Sequence, residues 1–194
     1  MKTPSIISIL AFAGMLNISL PANACTGITL TSKDSTTIVA RTIEWGGSDL
    51  NSQYIIVPRG YTMHSLTPDG NKGMTFTARY GYVGLAVEQK DFIAEGINEA
   101  GLSAGLFYFP NYGEYETYNP AQKDTSIADL QLVAWILGEC ATLEEVTEKV
   151  NEAHIISIDP RASTVHWRFT DVSGRQIVLE LSLIHISEPT RRSY

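Results

Sequence analysis

The sequence predicts an α+β fold in which strands, then helices, then strands follow one another along the chain. Short runs of alternating or β-branched residues, separated by turn residues, dominate residues 26–109. Helical periodicity replaces them between residues 126 and 152, and strand patterns return between residues 155 and 180. Because the helices stand together rather than between successive strands, we expect layered sheets and helices and not repeated βαβ units.

The first 24 residues have the pattern of a secretory signal peptide. Lys2 supplies a positive start, residues 6–20 are apolar and uncharged, and residues 22–24 form a small-x-small cleavage site. The apolar run is too short and wrongly flanked for a transmembrane helix, and an uncleaved anchor or a lipoprotein signal are the alternatives. We therefore expect an exported protein, periplasmic or secreted. Its mature chain would begin at Cys25, with no stable membrane span after cleavage.

A hairpin is predicted directly after this cleavage site, from residues 26–32 and 36–42 with a turn between them. It carries Cys25 at its start and Arg41 near its end. Further strands are predicted at residues 54–57, 74–80, 82–87 and 102–109, with turns at residues 67–70 and 98–101.

Two helices are predicted next. Ser126 and Asp129 have the spacing of a capping box before a largely apolar helix at residues 127–137. Thr142 and Glu145 have the same spacing before a second helix that runs to about residue 152. One face of this second helix carries Leu143, Val146 and Val150. The last strands are expected at residues 155–158, 164–171 and 176–180.

Composition narrows the class of protein. The chain has 194 residues, a net charge of −7 and 44% hydrophobic residues, which is typical of one globular domain. The acidic balance argues against a nucleic-acid partner. Two cysteines cannot make a disulfide framework, and Cys140 is expected in the core. No histidine pair has metal-ligand spacing, so no metal or cofactor is expected.

Cys25 is the first candidate for chemistry. A cysteine at a mature N-terminus carries a thiol and a free α-amine on one residue, which can act as nucleophile and base. Arg41 and Glu44 follow at a distance that lets a hairpin fold them back beside it. An arginine there favours the thiolate, and a carboxylate can orient the amine. The alternatives are a buried structural cysteine and a surface ion pair between Arg41 and Glu44.

Two other patterns compete with Cys25. Residues 101–105 match G-x-S-x-G, the nucleophile elbow, with Ser103 as its serine. The following residues look like a strand, whereas the elbow needs a helix there, so small residues within a strand explain the match more simply. An aromatic cluster could wall an apolar ligand site; it comprises Phe107, Tyr108, Phe109, Tyr112, Tyr115 and Tyr118.

From Cys25 onward the chain resembles the choloylglycine hydrolase family, which includes bile salt hydrolases and penicillin V acylases. The resemblance rests on six blocks in family order: CTG at 25–27, RTIEW at 41–45, IVPRG at 56–60, GINEAGL at 96–102, TVHW at 164–167 and DVSG at 171–174. It covers roughly residues 25–180.

The resemblance implies the αββα sandwich of N-terminal nucleophile hydrolases and hydrolysis of a non-peptide linear amide. Carried over by position, Cys25 resembles the nucleophile and Arg41 the arginine beside it. Glu44 falls where the family commonly has Asp. Tyr108 falls at an oxyanion-hole position that is Tyr in some penicillin V acylases. The implied partner is a small-molecule amide with a bulky apolar acyl group, and a full-length form is expected to be a homo-oligomer.

The end of the chain departs from this resemblance. The family's later catalytic Asn and Arg have no counterpart, and LSLIHISEPTR at 181–191 resembles a translated sequencing-library adaptor. We therefore expect residues 25–180 to be the N-terminal part of a domain that is incomplete at its C-terminus. Residues 181–194 are then a non-native tail, and the chain alone should be poorly soluble and inactive. Two rival functions stay open: a periplasmic binding module for apolar acids with catalysis lost, and a serine hydrolase that uses Ser103.

Overall fold

The structure is a computed structural model that describes residues 25–44, 49–110, 113–159 and 164–181. The expected signal peptide lies outside the described residues. So does the expected tail, except for Leu181, whose backbone carbonyl accepts a 3.0 Å hydrogen bond from the Glu114 N–H.

Twelve strands and two α-helices are present in the described part of the chain. The strands are β1 (Gly27–Thr31), β2 (Thr37–Arg41), β3 (Gln53–Val57), β4 (Thr62–Leu66), β5 (Lys72–Thr77), β6 (Tyr82–Ala86), β7 (Ile93–Asn98), β8 (Ser103–Tyr108), β9 (Ser126–Ala128), β10 (His154–Ile156), β11 (Val165–Thr170) and β12 (Gln176–Leu179). The helices are α1 (Leu132–Glu139) and α2 (Leu143–Asn151), and 3-10 helices occupy Pro120–Thr125 and Asp129–Gln131.

The central element is a six-stranded sheet in the order β12-β11-β8-β7-β6-β3, with antiparallel neighbours. Side chains alternate across it. One face, the helix face, is covered by α1, which packs against β7 and β8. The other is the hairpin face, because the β1-β2 hairpin lies on part of it. The hydrophobic core fills the space between the helices and the helix face, and includes the fully buried Trp167, Phe169, Leu132 and Ile136.

Small and polar residues fix α1 against the sheet. A side chain on Gly96 of β7 would meet the Leu137 side chain at 2.7 Å, so glycine allows this close approach. Asn98 donates through Nδ2 to the carbonyls of Leu137 and Cys140, at 2.9 and 2.6 Å, at the end of the helix. These bonds satisfy carbonyls that a helix end leaves without partners.

The β1-β2 hairpin begins a second β layer. Its inward residues include Thr29, whose hydroxyl donates to Gln176 Oε1 on β12 at 3.2 Å. Its outward residues Ile28, Leu30 and Ile38 are exposed. The helices, the central sheet and the opposing hairpin correspond to one helix layer, one sheet and the beginning of the second sheet of the predicted αββα sandwich.

The prediction of the first helix was wrong at its start. Ser126, Ile127 and Ala128 form β9, which pairs in parallel with β10, and α1 begins only at Leu132. The Ser126 hydroxyl donates to the Gln122 carbonyl at 2.9 Å, so Ser126 closes the preceding 3-10 helix and does not cap α1. Ile127 and Ala128 are fully buried, so strand pairing in the core prevails over the local capping signal.

The predicted N-cap of the second helix, Thr142, is confirmed, and Glu145 reaches back to the residue before the cap rather than to the cap itself. The Thr142 hydroxyl accepts from the Glu145 N–H at 3.2 Å, and Glu145 accepts from the Ala141 N–H at 2.6 Å. Leu143, Val146 and Val150 are the buried face of α2, as predicted. The sequence did not predict β4 and β7, because neither has the alternation or β-branched content of the other strands.

Candidate active site

Cys25 lies at the entrance to the hairpin, as predicted. The register of β1 and β2 pairs Gly27 with Arg41, and the Thr26 N–H donates to the Thr42 hydroxyl at 3.1 Å. The Cys25 thiol is half-buried and donates to the backbone carbonyl of Glu44 at 3.8 Å. The hairpin therefore brings Cys25 next to Arg41 and Glu44, as the sequence predicts.

The Arg41 side chain reaches the place in the central sheet where the backbone hydrogen bonds between β7 and β8 stop. The pairing of β7 and β8 ends at Glu95 and Gly105, and the next pair would be Ala94 and Leu106. Instead, Arg41 Nη1 donates to both of their carbonyls, at 3.0 Å to Ala94 and closely to Leu106. The side chain is only 5% exposed. The guanidinium thus satisfies buried carbonyls that the sheet leaves open.

The ion pair of Arg41 is with Glu95 on β7, not with Glu44. Arg41 Nε lies 3.5 Å from Glu95 Oε2. Burial raises the pKa of Glu95, and the guanidiniums of Arg41 and Arg168 oppose that rise. Because the pair is largely buried, the surface-ion-pair interpretation of Arg41 does not hold.

Arg41 also interacts electrostatically with Cys25. Burial lowers the pKa of Arg41, while Cys25 and then Glu95 act to raise it. Arg41 Nη2 is buried and has no hydrogen-bond partner among the described residues.

Phe107 holds two guanidiniums at this site. The Arg41 guanidinium carbon lies 4.4 Å from the centre of its ring, and that of Arg168 on β11 lies 5.2 Å from it. Gly27 packs directly on this cluster, because a Cβ there would meet Phe107 at 2.7 Å and Arg168 Nη1 at 2.8 Å. His166 stacks on the same ring with a centroid distance of 5.6 Å.

Glu44 and Tyr108 have different positions. Glu44 is half-buried, and its backbone carbonyl contacts the Cys25 thiol. Tyr108 ends β8, pairs with Val165 and is partly exposed. It lies two residues beyond Leu106, whose carbonyl binds Arg41. The structure therefore places Cys25, Arg41 and Glu44 together, and Tyr108 at the end of the strand that Arg41 contacts.

The rival nucleophiles lack the required surroundings. Ser103 is the first residue of β8, its hydroxyl donates to the Thr170 carbonyl at 3.5 Å, and β8 continues through Gly105 with no helix after it. The elbow interpretation is therefore wrong. Cys140 is fully buried, and burial raises its pKa to about 12, as expected of a core cysteine.

Other kinds of site have little support in the described part of the chain. It contains no cluster of three or more His, Cys, Asp or Glu side chains that could hold a metal ion. None of its helices is long and apolar enough to cross a membrane. A cavity of about 160 Å³ next to β3, lined in part by Tyr61, Met63 and Tyr82, includes none of the site residues.

Sequence reasoning missed Glu95 and Arg168. The sequence did contain a clue, because Glu95 and Arg168 are charged residues within strands. A position facing the core would be apolar, so a charge there indicates the other face of the sheet. Arg168 alternates with Trp167 and Phe169, so its side chain had to lie on the opposite face from theirs. Which charge would meet Arg41 depended on strand register, which local sequence does not determine.

The first hairpin of this layered α+β fold thus brings together a half-buried cysteine and a buried arginine. A model of the linear amide C–N hydrolases, choloylglycine hydrolase family, matches residues 25–185. The chain belongs to this family.

Relatives support the assignment. The chain is 30% identical over 162 residues to a bile salt hydrolase/transferase of Clostridium perfringens, covering 80% of this chain and 47% of that protein. It is 28% identical over 160 residues to uncharacterised protein A284L of Paramecium bursaria Chlorella virus 1, covering 80% and 48% of the two chains. The chain thus spans about half the length of these relatives.

Solved structures share the fold. A cysteine-to-alanine mutant of conjugated bile acid hydrolase from Clostridium perfringens has a TM-score of 0.71 and 27% identity, covering 88% of this chain and 51% of that chain. Penicillin V acylase from Agrobacterium tumefaciens has a TM-score of 0.69 and 21% identity, covering 86% and 49% of the two chains. The fold is that of the N-terminal nucleophile hydrolases, as predicted.

Proposed function

We propose that the whole protein hydrolyses a linear, non-peptide amide with a bulky apolar acyl group through an acyl-enzyme on Cys25. The observation that carries this proposal is the buried Arg41 guanidinium beside the half-buried Cys25 thiol. A structural cysteine needs no such cation, and a surface arginine would not bind carbonyls inside a sheet.

The proposed reaction has two stages. After removal of residues 1–24, the Cys25 thiolate attacks the amide carbonyl, and the α-amine takes the thiol proton. That proton passes to the leaving nitrogen as the C–N bond breaks and a thioester remains on Cys25. Water then attacks the thioester, releases the acid and restores the thiol.

In both stages the carbonyl oxygen of the substrate becomes negatively charged, and this oxyanion needs hydrogen-bond donors. The family position of Tyr108 and the backbone near Cys25 are the proposed donors, each worth about 3–4 kcal/mol if it meets the oxyanion. The proposed role of Glu44 is to orient the α-amine, with a side chain one methylene longer than the Asp common in the family.

The relatives limit the proposed substrates. Proteins similar to this chain are named for bile salts and for penicillin V. We therefore propose conjugated bile salts, penicillin V and long-chain N-acyl amides as candidates, acted on outside the cytoplasm by a homo-oligomer of the whole protein. An acidic chain does not attract anionic substrates over its whole surface, so their selection would be local.

Cys25→Ala and Cys25→Ser variants of the whole protein test the mechanism. Both should lose nearly all hydrolysis of the three substrate types, because neither carries the thiol and serine is a far weaker nucleophile at neutral pH. A Cys140→Ala variant is the matched control and should keep its activity if it folds. Unchanged hydrolysis by Cys25→Ala would refute the proposal.

A binding module for apolar acids is the second candidate, favoured by Glu44 at a position where the family commonly has Asp. In that case a fatty or bile acid would bind the whole protein in a titration, and no substrate would be turned over.

A further inference from the structure

Phe107 is a buried aromatic residue that lies outside the hydrophobic core. Its side chain is only 4% exposed, yet it is not among the residues that form the core between the helices and the central sheet. It pairs across the sheet with His166, whose neighbours Val165 and Trp167 are buried in that core. Because side chains alternate along a strand, the Phe107 ring lies on the hairpin face.

Two guanidiniums lie over this ring instead of apolar side chains. The guanidinium carbons of Arg41 and Arg168 are 4.4 and 5.2 Å from the centre of the Phe107 ring. A cation over the face of an aromatic ring is attracted by its π electrons, and more strongly where water is excluded. The Arg41 side chain is 5% exposed, so its contact with Phe107 is largely desolvated.

The ring restrains Arg41 in a direction that the hydrogen bonds do not. Arg41 Nε donates to the Thr42 carbonyl at 3.1 Å, and Nη1 donates to the Ala94 carbonyl at 3.0 Å. The N–H donors of a guanidinium point outward in its plane, so these bonds fix where its edges point. The Phe107 ring contacts the flat face and therefore restrains the tilt of that plane.

The same ring supports the strand that follows Cys25. Gly27 packs on Phe107 so closely that a Cβ there would lie 2.7 Å from the ring atom Cε1. Gly27 pairs with Arg41 in the hairpin, and Arg41 interacts electrostatically with Cys25. One ring thus contacts both the backbone next to the candidate nucleophile and the cation near it.

We propose that Phe107 is a positioning residue, which holds the Arg41 guanidinium near the Cys25 thiol through a cation–π contact. This inference rests on the proposed function and gives Phe107 a part in it. Within the aromatic cluster that could wall an apolar ligand site, Phe107 then packs on the two arginines rather than on a ligand.

Fluorinated phenylalanines test this contact with almost no change in shape. Fluorine withdraws electrons from the ring, so 4-fluoro-, 3,5-difluoro- and 3,4,5-trifluorophenylalanine at position 107 of the whole protein weaken a cation–π contact in steps. The rate of Cys25 alkylation by iodoacetamide at pH 7 is read by peptide mass mapping. We expect the rate to fall with each added fluorine, by about three- to tenfold in total, because a loosened Arg41 no longer keeps its charge near the attacking sulfur.

Phe76 of β5 is the matched control, because its ring is buried in the hydrophobic core. The same fluorinated series at position 76 should leave the alkylation rate within about twofold of that of the unmodified protein. Phe107→Leu removes the ring, keeps an apolar side chain, and should lower the rate at least as much as the trifluorinated ring. A rate that falls in Phe107→Leu but is constant across the fluorinated series at position 107 would show a packing role alone and overturn the inference.

Hydrolysis of penicillin V or a conjugated bile salt by the whole protein gives the second measurement. Fluorination of Phe107 should lower kcat by about three- to tenfold and leave KM within about twofold, because the ring orients Arg41 and does not bind the substrate. An unchanged kcat across the series would overturn the inference. If the unmodified protein hydrolyses neither substrate, the proposed function fails, and the alkylation series still decides the role of Phe107.

Discussion

At the residue scale, the site depends on how Arg41 is held. Its Nη1 donates to the carbonyls of Ala94 and Leu106, where the backbone pairing of β7 and β8 stops, and Glu95 lies beside Nε. This arrangement holds a buried cation near the Cys25 thiol in the absence of substrate, as the proposed mechanism needs.

Replacing Arg41 should therefore affect both reactivity and stability. In Arg41→Leu the carbonyls of Ala94 and Leu106 lose their donor and Glu95 loses its ion pair, which should cost about 3–5 kcal/mol in unfolding free energy. The rate of Cys25 alkylation by iodoacetamide at pH 7 should fall because the buried positive charge near the attacking sulfur is gone. Urea unfolding and peptide mapping measure the two effects. A variant with unchanged unfolding free energy would show that the hydrogen bonds from Arg41 to these two carbonyls do not stabilise the sheet.

Asp129 gives a pH-dependent prediction. Burial raises its pKa to about 6, and its Oδ2 atom is buried with no hydrogen-bond partner among the described residues. Because the folded pKa lies above the unfolded value, native protein binds more protons between about pH 4 and pH 6, and stability falls as the pH rises through that window. Asp129→Asn should therefore be more stable at pH 7.5 by about 2–3 kcal/mol.

This advantage of Asp129→Asn should shrink toward zero near pH 4, where the wild-type carboxyl is protonated too. Thermal unfolding at pH 4 and pH 7.5 measures both limits, with Asp124→Asn, an exposed acid next to Lys123, as the control. An advantage of equal size at the two pH values would show that ionisation is not its cause.

At the scale of elements, the hairpin places Cys25 by close contact. Gly27 touches Phe107 and Arg168 so tightly that a methyl group would meet them at 2.7 and 2.8 Å. Gly27→Ala should therefore push β1 away from the sheet and lower both the rate of Cys25 alkylation by iodoacetamide and the hydrolytic activity proposed for Cys25. Gly81→Ala is the control, because its new Cβ would have no contact closer than 3.4 Å. Equal effects of the two substitutions would contradict this account of the hairpin.

The elements also show what local sequence determines. Thr142 predicted a helix start correctly, because the cap and the helix it begins lie within four residues of each other. Ser126 failed because the partner that decides its conformation, His154, is distant in sequence. The same distinction applies to the site. Cys25, Arg41 and Glu44 come together through one local hairpin, whereas Glu95 and Arg168 join them through strand pairings that span the whole sheet.

At the scale of the whole molecule, the hairpin face is only partly covered. Over β3, β6 and β7 it exposes Tyr54, Ile56, Val83 and Ile97, which are 91%, 80%, 49% and 47% exposed. Their strands are neighbours in one sheet, so the side chains form a continuous apolar surface rather than scattered exposures.

We expect this chain to self-associate and to bind the dye ANS through that surface. Ile56→Lys should reduce both, since a charge at the centre of the patch opposes association without disturbing the core. Val172→Lys, in the turn after β11 and away from the patch, should change neither. Light scattering that shows a monomer with no dye binding would contradict this expectation.

The central claim is that Cys25 becomes acylated during amide hydrolysis. Its most direct test is mass spectrometry of the whole protein, quenched in acid soon after mixing with penicillin V or a conjugated bile salt. We expect a peptide that begins at Cys25 and carries the mass of the acyl group, and we expect it to be absent in Cys25→Ala. Turnover with the acyl group on another residue, or turnover that persists in Cys25→Ala, would contradict it.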